Sequence, residues 1–183
     1  MKNPSIWLRS ARRLPSDNCD ERPTDSPVDL LVIHGISLPE GSFGGPWIEH
    51  LFLNRLPSQR HPCFRDISEL RVSSHLLIDR QGDLTQFVTL DRRAWHAGLS
   101  SFHGRERCND FSVGIELEGC DHIPYTEAQY HRLAWATREI MGIFPNISRE
   151  NIVGHCDIAP GRKTDPGPAF DWKYYFTLLD GCR

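Results

Sequence analysis

His155, Lys163 and Asp165 share one polar stretch, "NIVGHCDIAPGRKTDPGPAFDW" (residues 151–172), and His34 ends the apolar run "VDLLVIH" (residues 28–34). Two neutral imidazoles and one carboxylate make a ligand set for zinc, because they offset part of the ion's charge and leave a fourth position for water. A closed structural site would instead take four strong ligands, often thiolates, which makes Cys156 the competing donor. If residues 153–157 are extended, neighbours point to opposite faces. A metal-facing His155 then turns Cys156 away to pack as a small thiol, and leaves Asp157 as the rival ligand by parity.

Metal-assisted hydrolysis also needs a group that takes a proton from water and returns it to the leaving atom. In "FSVGIELEG" (residues 111–119) Phe111, Val113, Ile115 and Leu117 alternate with Ser112, Gly114, Glu116 and Glu118. One strand face is therefore apolar and the other carries two carboxylates, either solvated or aimed into a site. Glu116 is the proton carrier of choice, since a strand holds a side chain more rigidly than a loop does; Glu118 has the same parity and is its internal rival. Lys163, two residues before Asp165, could donate to a developing oxyanion, but by residue type alone it reads, like Arg162 beside it, as an exposed loop cation. His50, His122 and His131 sit in polar helix or loop settings where a solvated imidazole is ordinary, and His61 with Cys63 lacks a second pair to complete a tetrahedral site. No G-x-S-x-G, H-E-x-x-H, G-x-G-x-x-G or G-x-x-x-x-G-K-[ST] occurs, which removes the usual serine nucleophile, the helix-borne zinc pair and two phosphate cradles.

The elements that must position these groups can be read from periodicity. Residues 28–34 form a strand buried on both faces, with His34 at its end. A short amphipathic helix follows with Pro46 as its first residue, ending before Pro57. Residues 71–88 form a hairpin about Arg80–Asp83, residues 90–110 are loop and short turns, and residues 111–117 are a strand. Thr126 and Gln129 make a capping box for a helix over 127–141, with Gly142 as its C-cap. A closing helix spans 170–180 and stops at Gly181. Residues 9–27 are irregular. The order of strands and helices is not a regular βαβ alternation, so the expectation is a mixed α/β fold: one central mixed sheet flanked by helices, in a single domain over 1–183.

Composition narrows the function classes. The 183 residues carry a formal net charge of −3, with basic and acidic groups well mixed, which gives a phosphate backbone no basic face to bind. The six cysteines, Cys19, Cys63, Cys108, Cys120, Cys156 and Cys182, are widely spaced without a CxxC pair, which fits reduced thiols better than a disulfide framework. No export signal and no apolar run of about 20 residues is visible, so the expected setting is cytoplasmic, with no membrane and no nucleic acid involved.

In order along the chain, "VDLLVIHGISLPEGSFGG", "RVSSHLLIDRQGDLTQFV", "RAWHAG", "FSVGIELEG", "YTEAQY" and "GHCDIAPGRKTDPGPAFDW" resemble the zinc-dependent N-acetylmuramoyl-L-alanine amidase family, related to peptidoglycan-recognition domains, and within it the intracellular branch that recycles cell wall. The resemblance covers most of residues 28–172. It implies one Zn²⁺ held by His34, His155 and Asp165, with Glu116 handling protons and Lys163 facing the reacting carbonyl. Trp95 and His96 fall in the family's groove wall, and Arg71 and Arg107 match basic residues for carboxylates of the stem peptide. The implied reaction is hydrolysis of the amide joining the lactyl group of 1,6-anhydro-N-acetylmuramic acid to L-alanine. The implied partner is a small soluble anhydro-muropeptide, and no obligate protein partner is implied for what reads as a monomer. Two departures stand out. Gly35 replaces a polar residue common after the first ligand, which removes a hydrogen bond to substrate, and the first tyrosine is Tyr125, which shifts acid–base work onto Glu116. A module that binds muropeptides without cleaving them and a structural zinc protein using His155 with Cys156 are the competing readings.

Overall fold

The computed structural model describes residues 5–181; residues 1–4 and 182–183, Cys182 among them, lie outside these. In chain order the strands are β1 (Arg12–Arg13), β2 (Cys19–Asp20), β3 (Leu30–Ile36), β4 (Leu76–Ile78), β5 (Leu84–Gln86), β6 (Arg93–Ala94), β7 (Ser101–Phe102), β8 (Arg105–Glu106), β9 (Ser112–Glu118) and β10 (Ile152–Gly154). The helices are α1 (Trp47–Phe52), α2 (Phe64–Ile67), α3 (Glu127–Ile143), α4 (His155–Ile158) and α5 (Trp172–Asp180).

Six strands form one mixed sheet in the order β1-β5-β4-β9-β3-β10. The strands β4, β9, β3 and β10 run parallel, and β5 pairs antiparallel with β4 across the expected hairpin. Period two divides the side chains between the two faces of this sheet. Leu31 and Ile33 of β3 and Val113, Ile115 and Leu117 of β9 pack with Leu133, Ala134 and Ile140 of α3 and Tyr175 and Leu179 of α5. On the other face Leu77 joins Ile48, Leu51 and Phe52 of α1 with Phe64 and Phe87. Leu30 and Val32 pack there with Ala97, Phe111 and Ile158. The mixed, helix-flanked sheet is the architecture that the pattern of elements predicts.

Several boundaries differ from the sequence reading, each for a local reason. β3 continues past His34 to Ile36 because β9 pairs with it as far as Ile36↔Glu118, so His34 sits inside the strand and not at its end. Pro46 is the N-cap of α1, which stops at Phe52. There Asn54 turns the chain with φ 58, and the Phe52 carbonyl accepts from Ser16 Oγ and Asn18 Nδ2, so the helix end is satisfied from outside. Gly142 lies within α3, and Phe144 is the C-cap. Residues 9–27 are not wholly irregular: β1 adds a parallel strand beside β5 and β2 pairs with β6.

Candidate metal centre

Three adjacent parallel strands bring the site together at their C-terminal ends, where open sheets of this kind place ligand groups. His34 of β3 pairs directly with Glu116 of β9. On the other side of β3, Gly154 of β10 pairs with Ile33, which puts His155 one residue further on, next to His34. Residues 155–158 form a helical turn, so the extended backbone expected for 153–157 ends at Gly154. Cys156 is still turned from the centre, but by helical rotation and not by strand alternation; its N–H donates to the Asp165 carbonyl at 3.0 Å. Asp157, the rival ligand, has its carboxylate occupied by the Gly154 N–H at 2.7 Å.

Among the described residues the one His/Cys/Asp/Glu cluster with metal-ligand spacing is His34, His155 and Asp165. His34 Nδ1 lies 3.0 Å from His155 Nδ1 and 3.2 Å from Asp165 Oδ2, and His155 Nδ1 lies 3.1 Å from the same oxygen. These three edges are close to the roughly 3.3 Å that separates two ligands of a tetrahedral zinc bonded at about 2.0–2.1 Å. The outer nitrogens have partners of their own. His155 Nε2 is 3.3 Å from the Ala97 carbonyl, to which it can only donate, so the proton of neutral His155 is on Nε2 and the Nδ1 lone pair faces the centre. His34 Nε2 meets His96 Nδ1 at 2.9 Å. Converging lone pairs on two imidazoles and a carboxylate repel one another unless a cation lies among them, so the donor set fits zinc.

Electrostatics agree. Burial, outweighing the pull of the Asp165 carboxylate, brings His34 down to about 4, which keeps it neutral and able to ligate. Burial alone would raise Asp165, but the adjoining His155 and His34 outweigh it and hold the carboxyl below the ordinary range, so it stays an anion. Glu116 is pushed well above its usual value by burial, with Asp165 adding and Lys163 opposing. Its Oε1 lies 4.0 Å from His34 Nδ1, and its buried Oε2 has no hydrogen-bond partner. Glu118 faces the same way but is committed elsewhere: Oε1 accepts from Gly44 N at 2.6 Å and Oε2 from Arg80 N at 3.2 Å.

Lys163 and Trp95 line the cavity that holds His34, Glu116, His155 and Asp165. Arg71 borders an adjoining depression with Trp95, His96 and Lys163. Arg107 borders a further one that shares Gly98 and Arg162 with it, and Arg107 Nε is 3.5 Å from Asp110. Arg162, read from sequence as a free loop cation, donates to the Ala97 and Leu99 carbonyls.

Sequence reasoning gave no supporting role to three groups, Tyr125, Asn109 and Ser112. Tyr125 is buried beside the site, donating to the Pro166 carbonyl at 2.9 Å, so it braces the loop that carries Asp165. A Cβ on Gly35 would fall 2.3 Å from the Tyr125 hydroxyl, which accounts for glycine after the first ligand. Asn109 and Ser112 hold the segment around His96. Period two had put Ser112 on the site face, but nothing in the local pattern marked Tyr125 or Asn109.

Comparison with known proteins gives a consistent result. A family model described as N-acetylmuramoyl-L-alanine amidase matches residues 24–168. The chain is 57% identical over 173 residues to the 1,6-anhydro-N-acetylmuramyl-L-alanine amidase AmpD of Escherichia coli (strain K12), covering 94% of each. It resembles the crystal structure of a selenomethionine AmpD derivative with a TM-score of 0.93 at 54% identity, over 98% of this chain and 99% of that one. It also resembles the E. coli amidase AmiD in complex with its substrate anhydro-N-acetylmuramic acid-L-Ala-D-γ-Glu-L-Lys, with a TM-score of 0.62 at 29% identity, over 87% of this chain and 60% of that one.

Proposed function

The chain belongs to the N-acetylmuramoyl-L-alanine amidase family, and from that premise we propose how its site performs the reaction. The protein is a zinc-dependent amidase that hydrolyses the bond between the lactyl group of 1,6-anhydro-N-acetylmuramic acid and L-alanine in soluble anhydro-muropeptides. The observation that carries this reading is the convergence of His34, His155 and Asp165 with an unpartnered Glu116 oxygen beside them. His34, His155 and Asp165 would hold the zinc, which when bound would supply a Lewis acid for the scissile carbonyl and for the attacking water. Glu116 takes the proton from the attacking water and returns it to the alanine nitrogen as the C–N bond breaks. Burial moves this carboxyl toward the range in which one group can both accept and release a proton. Lys163 donates to the carbonyl oxygen as negative charge develops on it. The products are the lactyl carboxylate and the free stem peptide.

In the same reading Trp95 and His96 wall the groove, and Arg71 and Arg107 meet carboxylates of the stem peptide. A guanidinium suits that task because its planar fork matches a carboxylate. The whole of 1–183 acts as one catalytic unit in the cytoplasm, on a small soluble substrate and without an obligate partner. The alternative of a module that binds without cleaving would not need the complete donor set, and the structural zinc alternative would need Cys156 at the ion.

Zinc stoichiometry measured beside release of stem peptide from anhydro-muropeptide tests the assignment. His34→Ala and Asp165→Ala are expected to lose both zinc and cleavage. Glu116→Ala and Lys163→Ala are expected to keep zinc and lose cleavage by about 10²–10⁴-fold, the range of a positioned acid–base or oxyanion group. Wild-type turnover in Glu116→Ala would remove Glu116 from the mechanism.

A further inference from the structure

Both metal-facing histidines are held from behind by one short segment, Trp95–Ala97. The His96 side chain places Nδ1 2.9 Å from His34 Nε2. The backbone carbonyl of the next residue, Ala97, lies 3.3 Å from His155 Nε2. Asn109 clamps the segment: its Oδ1 accepts from the N–H of His96 at 3.1 Å and of Ala97 at 2.8 Å. Both donors are backbone N–H groups, so the oxygen of the amide must face them and the side chain cannot be flipped. On its far side His96 Nε2 meets Ser112 Oγ at 3.1 Å. The ring lies flat against β9 at Gly114, where a Cβ would fall 2.6 Å from it.

We propose that His96 is a positioning residue for metal binding. It accepts the Nε2–H of His34, passes its own Nε2–H to Ser112, and with the Asn109-clamped backbone fixes the orientation and tautomer of both zinc imidazoles. The inference rests on His34 and His155 being zinc ligands. A ligand that presents Nδ1 to the ion carries its proton on Nε2, so His96 Nδ1 is the acceptor. The one remaining proton of a neutral His96 then sits on Nε2 and points at Ser112. Hydrogen bonds thus run in one direction from the metal ligand to the strand. A donor at His96 Nδ1 would instead face the Nε2–H of His34 and turn that ring out of register. The groove-wall role carried over to His96 concerns a different face of the same ring.

Zinc affinity, measured by competition with a chromophoric chelator, tests the proposal. His96→Ala is expected to weaken zinc binding 10–100-fold, the range for loss of such an outer partner. His96→Asn, whose Oδ1 can occupy the place of Nδ1, should recover affinity to within a few-fold of wild type. Equal affinity in wild type and His96→Ala, or no recovery in His96→Asn, overturns the proposal. Long-range ¹H–¹⁵N correlation on the unaltered zinc-loaded protein gives an independent reading: protons on Nε2 of both His34 and His96 are expected, and a proton on His96 Nδ1 overturns it even if His96→Ala does not fold. A wild-type chain that binds no stoichiometric zinc would instead overturn the metal-site reading itself.

Discussion

At the scale of the residue, the two carboxylates of β9 show how similar groups acquire different surroundings. Glu116 and Glu118 share a strand, a face and near-complete burial. Glu118 is saturated by two backbone N–H groups, tying the 37–46 loop at Gly44 to the turn at Arg80. Glu116 keeps one oxygen without a partner beside the ligands. A buried acceptor left unsatisfied costs about 1–3 kcal/mol, so its presence points to a species it is meant to meet. Removing the charge from each therefore has opposite consequences. Glu116→Gln is expected to keep zinc and stability but lose turnover by at least about 10²-fold. Glu118→Gln should retain turnover within a few-fold and lower the melting temperature. Thermal melts paired with peptide-release assays separate the two.

At the scale of the element, α3 links fold and site through its N-terminus. Thr126 Oγ1 accepts from Gln129 N at 3.2 Å, and Gln129 Oε1 accepts from Thr126 N at 3.0 Å, the reciprocal pair expected of the capping box. The same residues reach the sheet: Thr126 Oγ1 donates to the Arg80 carbonyl and Gln129 Nε2 to the Glu118 carbonyl. The helix start is thereby fixed at the ends of β4 and β9. Tyr125, immediately before the cap, is directed at Pro166. Thr126→Ala should cost about 1–2 kcal/mol in urea unfolding with an unchanged m-value, as loss of an N-cap does. Tyr125→Phe removes the bond to the ligand-bearing loop and leaves a buried carbonyl unpaired. It should cost about 1–3 kcal/mol and raise the zinc dissociation constant, read by chelator competition.

At the scale of the whole molecule, the N-terminal segment acts as a strap across the back of the site. Arg22 donates to the carbonyls of Asn109, Asp110 and Leu90 and meets His75 Nε2 at 3.0 Å. His75, fully buried, accepts the Gly114 N–H at Nδ1 and faces the Arg92 carbonyl through Nε2. Burial, and then the Arg22 charge, lower His75 to about 3. The folded chain therefore holds this ring neutral where the unfolded chain, near 6.5, binds a proton. The resulting stability is fully present above pH of about 6.5 and is lost as pH falls toward about 3, with a slope of up to about 1.4 kcal/mol per pH unit. His75→Asn should make the acid limb of unfolding free energy against pH shallower by about one proton; an unchanged slope would contradict this account.

How much of this was legible beforehand depends on the range of the interaction. The site face of β9, the capping box, the closing helix and the hairpin were readable because each rests on contacts a few residues apart, where periodicity and turn chemistry act. Ligand types and their segments were readable too, from the donor chemistry and from the ordered motifs. Period two says which face a side chain takes but not what stands opposite. The pairing of His34 with Glu116, the approach of His155 to His34, and the place of His34 within and not at the end of its strand all follow from the register of β3, β9 and β10. Tyr125 on Pro166 and Asn109 on the His96 backbone likewise join distant parts of the chain. Register and such cross-chain hydrogen bonds form only when the sheet closes, because parallel strands pair through long crossovers whose lengths do not encode alignment. The sequence by itself determined the fold class, the candidate donors and the chemistry they can perform. The tertiary structure alone decided which donors converge, which carboxylate keeps an unpartnered oxygen, and what lies behind the imidazoles.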